Sequence, residues 1–331
     1  MKRSLSQLRS RLLIVALALL APLATPSVHA QTAVKVRLAQ NLSPISGVAI
    51  VAKQKGMFEK QGLDVAVSNF TTGRQALEAV LAGGADISTV AEAPVTAGAM
   101  AKQRIALLAR INYSDVKTLT DATDRIQKPT DLKGKRIGYA AGTGSEVYTM
   151  TLLKNGGLSA SDVTLVNLRP QDMVPALVNG SIDAMNIWEP HVANARRILG
   201  EKARLLDTKG VYAETFNIVT TQEYLGKNGA TAQKFLRALV DAHLWIQGNP
   251  KEAMAVIADT VGMKREEFEP LWGDYNYDVV LDDQVFAVLR THSQWRLDTK
   301  NAPAGATMPD FKAVVIPDPL RAVAADRVRF K

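Results

Sequence analysis

The chain has 331 residues, 47% hydrophobic and 22% charged, with a formal net charge of +8. That is enough chain for two ordinary globular cores, and the apolar content excludes a disordered protein. The absence of cysteine excludes disulfides, thiol catalysis, cysteine-bound zinc, iron–sulfur clusters and a lipobox anchor.

Residues 1–30 predict an export signal. Lys2, Arg3, Arg9 and Arg11 form a basic start, Leu12 to Leu20 is unbroken apolar, and Val28-His29-Ala30 suits signal peptidase. Cleavage is expected after Ala30, leaving Gln31 first in a periplasmic protein. Ser10 separates Arg9 from Arg11, so the pattern is not a twin-arginine signal. Removing these four basic residues from the 40 leaves 36 against 32 acidic ones, a net +4. That mild excess helps an anion approach but does not argue for nucleic-acid binding.

From residue 35 onward the chain reads as a duplication. Lys35–Ala39 predicts a strand, Gln40–Pro44 a loop and Ile45–Gly56 a helix. Asp64–Phe70 alternates as a half-buried strand does, and Gln75–Ala82 follows as a helix. The second copy has strand Lys135–Ala140, loop Ala141–Gly144, helix Ser145–Asn155, strand Asp162–Leu168 and helix Met173–Asn179. Ala79, Gly83, Asp86 and Glu92 fall on Ala176, Gly180, Asp183 and Glu189. Gly83 and Gly180 stand where a helix end takes a left-handed residue. Strands alternating with helices at this spacing predict an α/β fold of two lobes, each a mostly parallel sheet flanked by helices, with a cleft between them. Two such lobes suit hinge closure around a small ligand. Beyond the repeat, helices are expected over Thr231–Ile246, Lys251–Val261, and from Asp282 or Asp283 to about Trp295. This block lacks the repeat and is assigned to the first lobe.

Three stretches carry a resemblance: Lys55-Gly-Met-Phe-Glu-Lys-Gln-Gly-Leu-Asp64; Asp131-Leu-Lys-Gly-Lys-Arg-Ile-Gly138 with Gly142-Thr-Gly-Ser145; and Gly180-Ser-Ile-Asp-Ala-Met-Asn-Ile-Trp-Glu-Pro190. Over roughly Val34 to Lys251 the chain resembles the nitrate/sulfonate/taurine group of ABC-importer binding proteins. The resemblance implies a periplasmic binding protein fold, type II-like, with crossings near Asn112–Lys117 and Lys209–Phe216. The lobes would then be 31–112 with 216–331, and 113–215. It also implies a monomer serving an ABC permease in the inner membrane, and a small-molecule anion as ligand. Nitrate, bicarbonate, alkanesulfonates and taurine are such ligands; other members take pyrimidine precursors or aromatic acids. Thiamine-pathway enzymes share the fold, but they carry a Cys-rich iron-binding stretch and no export signal. No catalytic residue, cofactor or metal is expected here.

The candidate ligand residues lie at strand ends. Gly142-Thr143-Gly144-Ser145 closes a strand and opens a helix, where free N–H groups, the helix dipole and two hydroxyls favour an anion. A dinucleotide fingerprint would need glycine at 147, and a nucleophile elbow would need it at 143 and 147; Thr143 and Val147 stand there. Asn41 and Ser43 form the matching loop of the first lobe, and Thr71 and Thr72 add hydroxyls. Trp188 offers a flat apolar wall, or else belongs to the core. Glu92 and Glu189, paired by the repeat, have no nucleophile, metal cluster or histidine partner in sequence, which argues against acid–base catalysis. They fit a ligand with a cationic end, or acids neutralised by protein donors, and weigh against nitrate and bicarbonate. An alkanesulfonate or taurine is the preferred expectation.

Overall fold

The computed structural model describes residues 33–330. The expected export signal and cleavage site lie outside them. The first sheet is built as the alternation predicts. β1 (Val34–Asn41) buries Val36, Leu38 and Ala39 and pairs in parallel with β2 (Leu63–Phe70), Val34 opposite Leu63 and Asn41 opposite Phe70. Between them the helix expected over Ile45–Gly56 forms, and a further short helix follows it. After a 3-10 turn at Pro44–Ser46 come α1 (Gly47–Gln54) and α2 (Met57–Lys60), separated at Gly56, whose φ of 66° is left-handed. α3 (Gly73–Leu81), β3 (Ile87–Ala91), α4 (Glu92–Met100) and β4 (Ile105–Asp115) complete the first pass.

Only Val116 separates β4 from β5 (Lys117–Asp121), which already belongs to a second sheet. There follow β6 (Arg136–Tyr139), α5 (Gly144–Asn155), β7 (Thr164–Asn167), α6 (Pro170–Val178), β8 (Ala184–Ile187), α7 (His191–Leu199) and β9 (Ala203–Leu205). α6 starts before the expected Met173 because Pro170, with φ fixed near the helical value, occupies its first turn. β10 (Ala213–Thr221) then returns to the first sheet.

The sheet orders are β2-β1-β3-β10-β4 and β7-β6-β8-β5-β9. In each, four strands run one way and a single strand, β10 or β5, runs against them. The duplication is also chemical. Asp86 accepts from the Arg37 backbone N–H at 2.7 Å and its guanidinium at 2.6 Å; Asp183 does the same for Arg136 at 2.7 and 2.5 Å. Each aspartate therefore pins the turn before its short strand to the neighbouring strand.

The remaining helices are α8 (Gln222–Lys227), α9 (Gly229–Gly248), α10 (Pro250–Val261), α11 (Arg265–Phe268), α12 (Asp283–Asp298) and α13 (Asp318–Val323). Asp282, rather than Asp283, caps α12 by accepting from the Val285 N–H. Phe235 of α9 stacks on Phe58 of α2 with ring centroids 4.7 Å apart, and α12 packs on α4. The outer edge of β4 is covered as well: Leu107 bonds with Val314 and Ile316, and Arg110 with Val280. This removes an exposed strand edge and carries Tyr275 to Val280 alongside β4 towards the second sheet.

Candidate functional site

Loops from the two sheets meet around a cavity of about 360 Å³. Thr71, Thr72 and Arg74 reach it from the end of β2, Thr143 from the end of β6, and Asn167 and Arg169 from the end of β7. Thr71, Thr72 and Thr143 were singled out by sequence; the two arginines were not, although each lies within four residues of a strand end. Arg74 is tied to Glu78 on its own helix at 2.9 Å and Arg169 to Asp172 at 2.6 Å. Arg74 also spans the gap between sheets. Its Nη1 lies 2.7 Å from where a Cβ on Gly142 would stand. Gly142 has a φ of 73°, so glycine is required there for backbone and space alike.

The hydroxyls at these loops are largely engaged by the chain itself. Thr71 donates to Gln75 Oε1, and Thr72 forms a capping box with Gln75. Thr143 donates to Ala140 O at 2.8 Å and accepts from the Ser145 N–H. Ser145 is fully buried, donates to Asn186 O at 2.6 Å and accepts from the Ala140 N–H. Its one proton joins the α5 start to β8, so the expected free hydroxyl donors at Thr143 and Ser145 are corrected to structural links. Glu146 likewise takes the Gly142 N–H. What remains open at the α5 start is the N–H pair of Thr143 and Gly144, which has no acceptor among the described residues.

Asn41 closes β1; its N–H donates to Thr89 Oγ1, and its carbonyl accepts from Ser46. Ser43 is buried, and its hydroxyl has no partner among the described residues. Trp188 is 7% exposed and belongs to the second-sheet core with Leu119, Met173 and Ile187. Its packing there is that of the core alternative.

The two paired acids differ. Glu189 accepts from Lys117 at 3.0 Å and from the Ala193 N–H at 2.9 Å, and Lys117 continues to Asp274 at 2.8 Å. Glu92, wholly buried at the first position of α4, meets the returning strand. Phe216 pairs with Ala91, which brings Thr215 to Glu92, and both its N–H (2.7 Å) and hydroxyl (3.0 Å) donate to Oε2. Glu92 Oε1 has no donor among the described residues. Beside it lies Glu214, a buried acid that the sequence reading missed, whose Oε2 is 2.5 Å from where a Cβ on Gly144 would stand.

His292 of α12 corrects the expectation that the acids lack a histidine neighbour: its Nδ1 is 4.0 Å from Glu92 Oε1. Burial pushes its pKa well below the usual range, helped by Arg296, so the imidazole is neutral and the contact is not an ion pair at neutral pH. Both ring nitrogens lack partners among the described residues, as do the hydroxyls of Tyr212 and Tyr275. Tyr212 stands edge-on to His292 with centroids 6.4 Å apart. Burial pushes the Glu92 carboxyl up to about 7, against the Thr215 hydrogen bonds, and burial plus the Glu92 charge raise Glu214 further. Each buried polar atom left unpaired costs about 1–3 kcal/mol, so this cluster is a costly place in the fold. No group of three or more acidic and histidine side chains converges as a metal site among the described residues.

The comparisons follow this geometry. The chain is 29% identical over 268 residues to a putative aliphatic sulfonates-binding protein of Bacillus subtilis, covering 78% of this chain and 79% of the relative. It is 28% identical over 238 residues to the taurine-binding periplasmic protein of Escherichia coli, covering 70% and 72%. The crystal structure of the periplasmic aliphatic sulphonate binding protein of Escherichia coli superposes with a TM-score of 0.72 at 20% identity, covering 85% of this chain and 92% of that one. It shows the two-sheet α/β architecture to be that of periplasmic binding proteins. Residues 44–253 match the NMT1/THI5-like family model, and the chain belongs to that family.

Proposed function

We propose that this protein is the extracytoplasmic solute receptor of an ABC importer, binding a small anion such as an alkanesulfonate or taurine rather than catalysing a reaction. The lobes would be 31–112 with 216–331, and 113–215. The observation that carries the reading is the cavity where Arg74 of one sheet and Arg169 of the other flank the start of α5. Guanidinium forks match the oxygens of a sulfonate, and the open N–H groups of Thr143 and Gly144 add donors backed by the helix dipole. An anion held by both halves binds the closed arrangement better than the open one, which is what drives hinge closure. The sulfonate and taurine relatives support this ligand class, and a periplasmic monomer delivering its solute to a membrane permease follows from the same reading.

Calorimetry with a panel of alkanesulfonates, taurine, nitrate and bicarbonate tests it. Arg74→Ala and Arg169→Ala should each weaken the preferred anion about tenfold to a hundredfold, the loss of a charged hydrogen bond. Small-angle scattering should show compaction on saturation. A panel in which no anion binds, or two variants that bind like the parent, would overturn the reading.

A further inference from the structure

We infer that the Glu92–Glu214 chamber is a second subsite of the same cleft, built for a protonated amine, so that the solute is a short zwitterion with its anion at the α5 start and its ammonium on these acids. The inference rests on the receptor reading for the anionic end only. Glu214 precedes Thr215, which bonds Glu92, and its carboxyl stands with Tyr212 beside Gly144, Tyr212 packing edge-on to His292; no lysine or arginine is bonded to either acid among the described residues. Glu92 Oε1 lacks a donor there although Glu92 is wholly buried, and Glu214 is 3% exposed.

A second, independent set of groups points into the same space. His292 is 1% exposed, with both ring nitrogens unpartnered and Nδ1 facing Glu92 Oε1 at 4.0 Å. Tyr275, 6% exposed, has an unpartnered hydroxyl and lies close enough to Glu214 and Glu189 to feel their charge. The chamber therefore offers carboxylate oxygens, a neutral imidazole and a phenol, and lacks a group that carries positive charge and several N–H donors. An alkylammonium supplies one charge and three donors on a compact centre. Gly144 joins the two subsites. With no side chain there, Glu214 Oε2 approaches the α5 backbone to within 2.5 Å of the missing Cβ, beside the open N–H groups proposed for the anion. The poles are thus a few atoms apart, which restricts the solute to a short chain between amine and acid. Glu189, the acid marked by the repeat, is bonded to Lys117 and Ala193 and is a positioning residue in this account.

The test pairs two solutes that differ only at the far end: 2-aminoethanesulfonate and 2-hydroxyethanesulfonate, titrated calorimetrically into the exported protein at pH 7.5, with ethylamine and zinc ion as further probes. The aminosulfonate should bind at least about tenfold tighter, the worth of one charge-assisted bond. Glu214→Gln should erase that preference while leaving the hydroxyl analogue unchanged or tighter. Glu92→Gln should do the same, and thermal unfolding of both variants shows that each still folds. Equal binding of both sulfonates by parent and variants overturns the inference and leaves the anion receptor standing. Ethylamine binding that Glu214→Gln abolishes, with neither sulfonate bound, supports the amine subsite and overturns the anion receptor. Zinc binding that Glu214→Gln abolishes, without an amine preference, assigns the chamber to a metal and overturns the inference. If no probe binds, both readings fall.

Discussion

Glu92 and Glu189 stand at matching places after β3 and β8, and their surroundings show how a duplicated scaffold acquires one site rather than two. In the second half a lysine on the crossing strand β5 reaches Glu189, and the start of α7 supplies an N–H, so the acid is neutralised and fixed. In the first half the strand that occupies the place of β5 is β10. Where β5 begins with Lys117, β10 begins with Ala213, Glu214 and Thr215. Glu92 thus gains a second acid beside it instead of a base. The sheet order is shared, and one reversed strand in each sheet decides which half keeps an acid without a base.

The largest effect should come from breaking the satisfied half. Lys117→Met leaves Glu189, which is buried, without its cation; stranding a buried ionic partner costs about 3–5 kcal/mol. Denaturant unfolding should show that loss. The matching change in the first half, Glu92→Gln, removes a buried acid that no base neutralises and should leave the ligand-free protein as stable or more so. A Lys117→Met variant as stable as the parent would mean that the asymmetry is only geometric.

The pH dependence sharpens the same contrast. Glu92 is held up to about 7 against an ordinary 4.5, so between these values the folded state keeps a proton that the unfolded chain has released. Its contribution to stability therefore falls as pH rises through that window. His292, pushed well below 6.5, acts in the opposite sense and costs stability as pH falls below its ordinary range. Glu214, Thr215 and His292 are the groups that face Glu92, and the raw profile mixes the titrations of Glu92, Glu214 and His292. The difference between parent and Glu92→Gln isolates the glutamate: urea unfolding at pH 5, 6, 7 and 8 should show the variant gaining on the parent as pH rises. A pH-independent difference would place the Glu92 proton elsewhere. Amine affinity should rise over the same range as the acids ionise.

Much of the scaffold was legible because it repeats. The alternation at Asp64–Phe70, the cap glycines Gly83 and Gly180, and the helix opening at Thr143 are local signals, and each has a local cause. The site was less legible. Glu214 and His292 lie outside the repeat and reach Glu92 from 122 residues or more along the chain, through the antiparallel return of β10 and the packing of α12 on α4. No spacing rule encodes that. Ser145 was misjudged for a related reason. A serine at a helix start has several possible partners, and only the fold brings Asn186 O within 2.6 Å of it.

The smallest effect should be the difference between the two Arg–Asp clamps. Asp86 and Asp183 each accept from one backbone N–H and one guanidinium, their side chains are both 14% exposed, and their arginines are about half exposed. The exposed guanidinium contributes little, because solvent screens it. The backbone N–H at the strand is the shielded partner, and it is the same in both halves. Asp86→Ala and Asp183→Ala should therefore lower the melting temperature by a similar few degrees, and Arg37→Ala and Arg136→Ala by less than either aspartate change. Arg37 alone also donates to Gly83 O, at 2.9 Å, so any inequality should place the larger loss in the first half. A clearly larger loss in the second half would show that the lobes differ in stability for reasons the duplicated clamp does not contain.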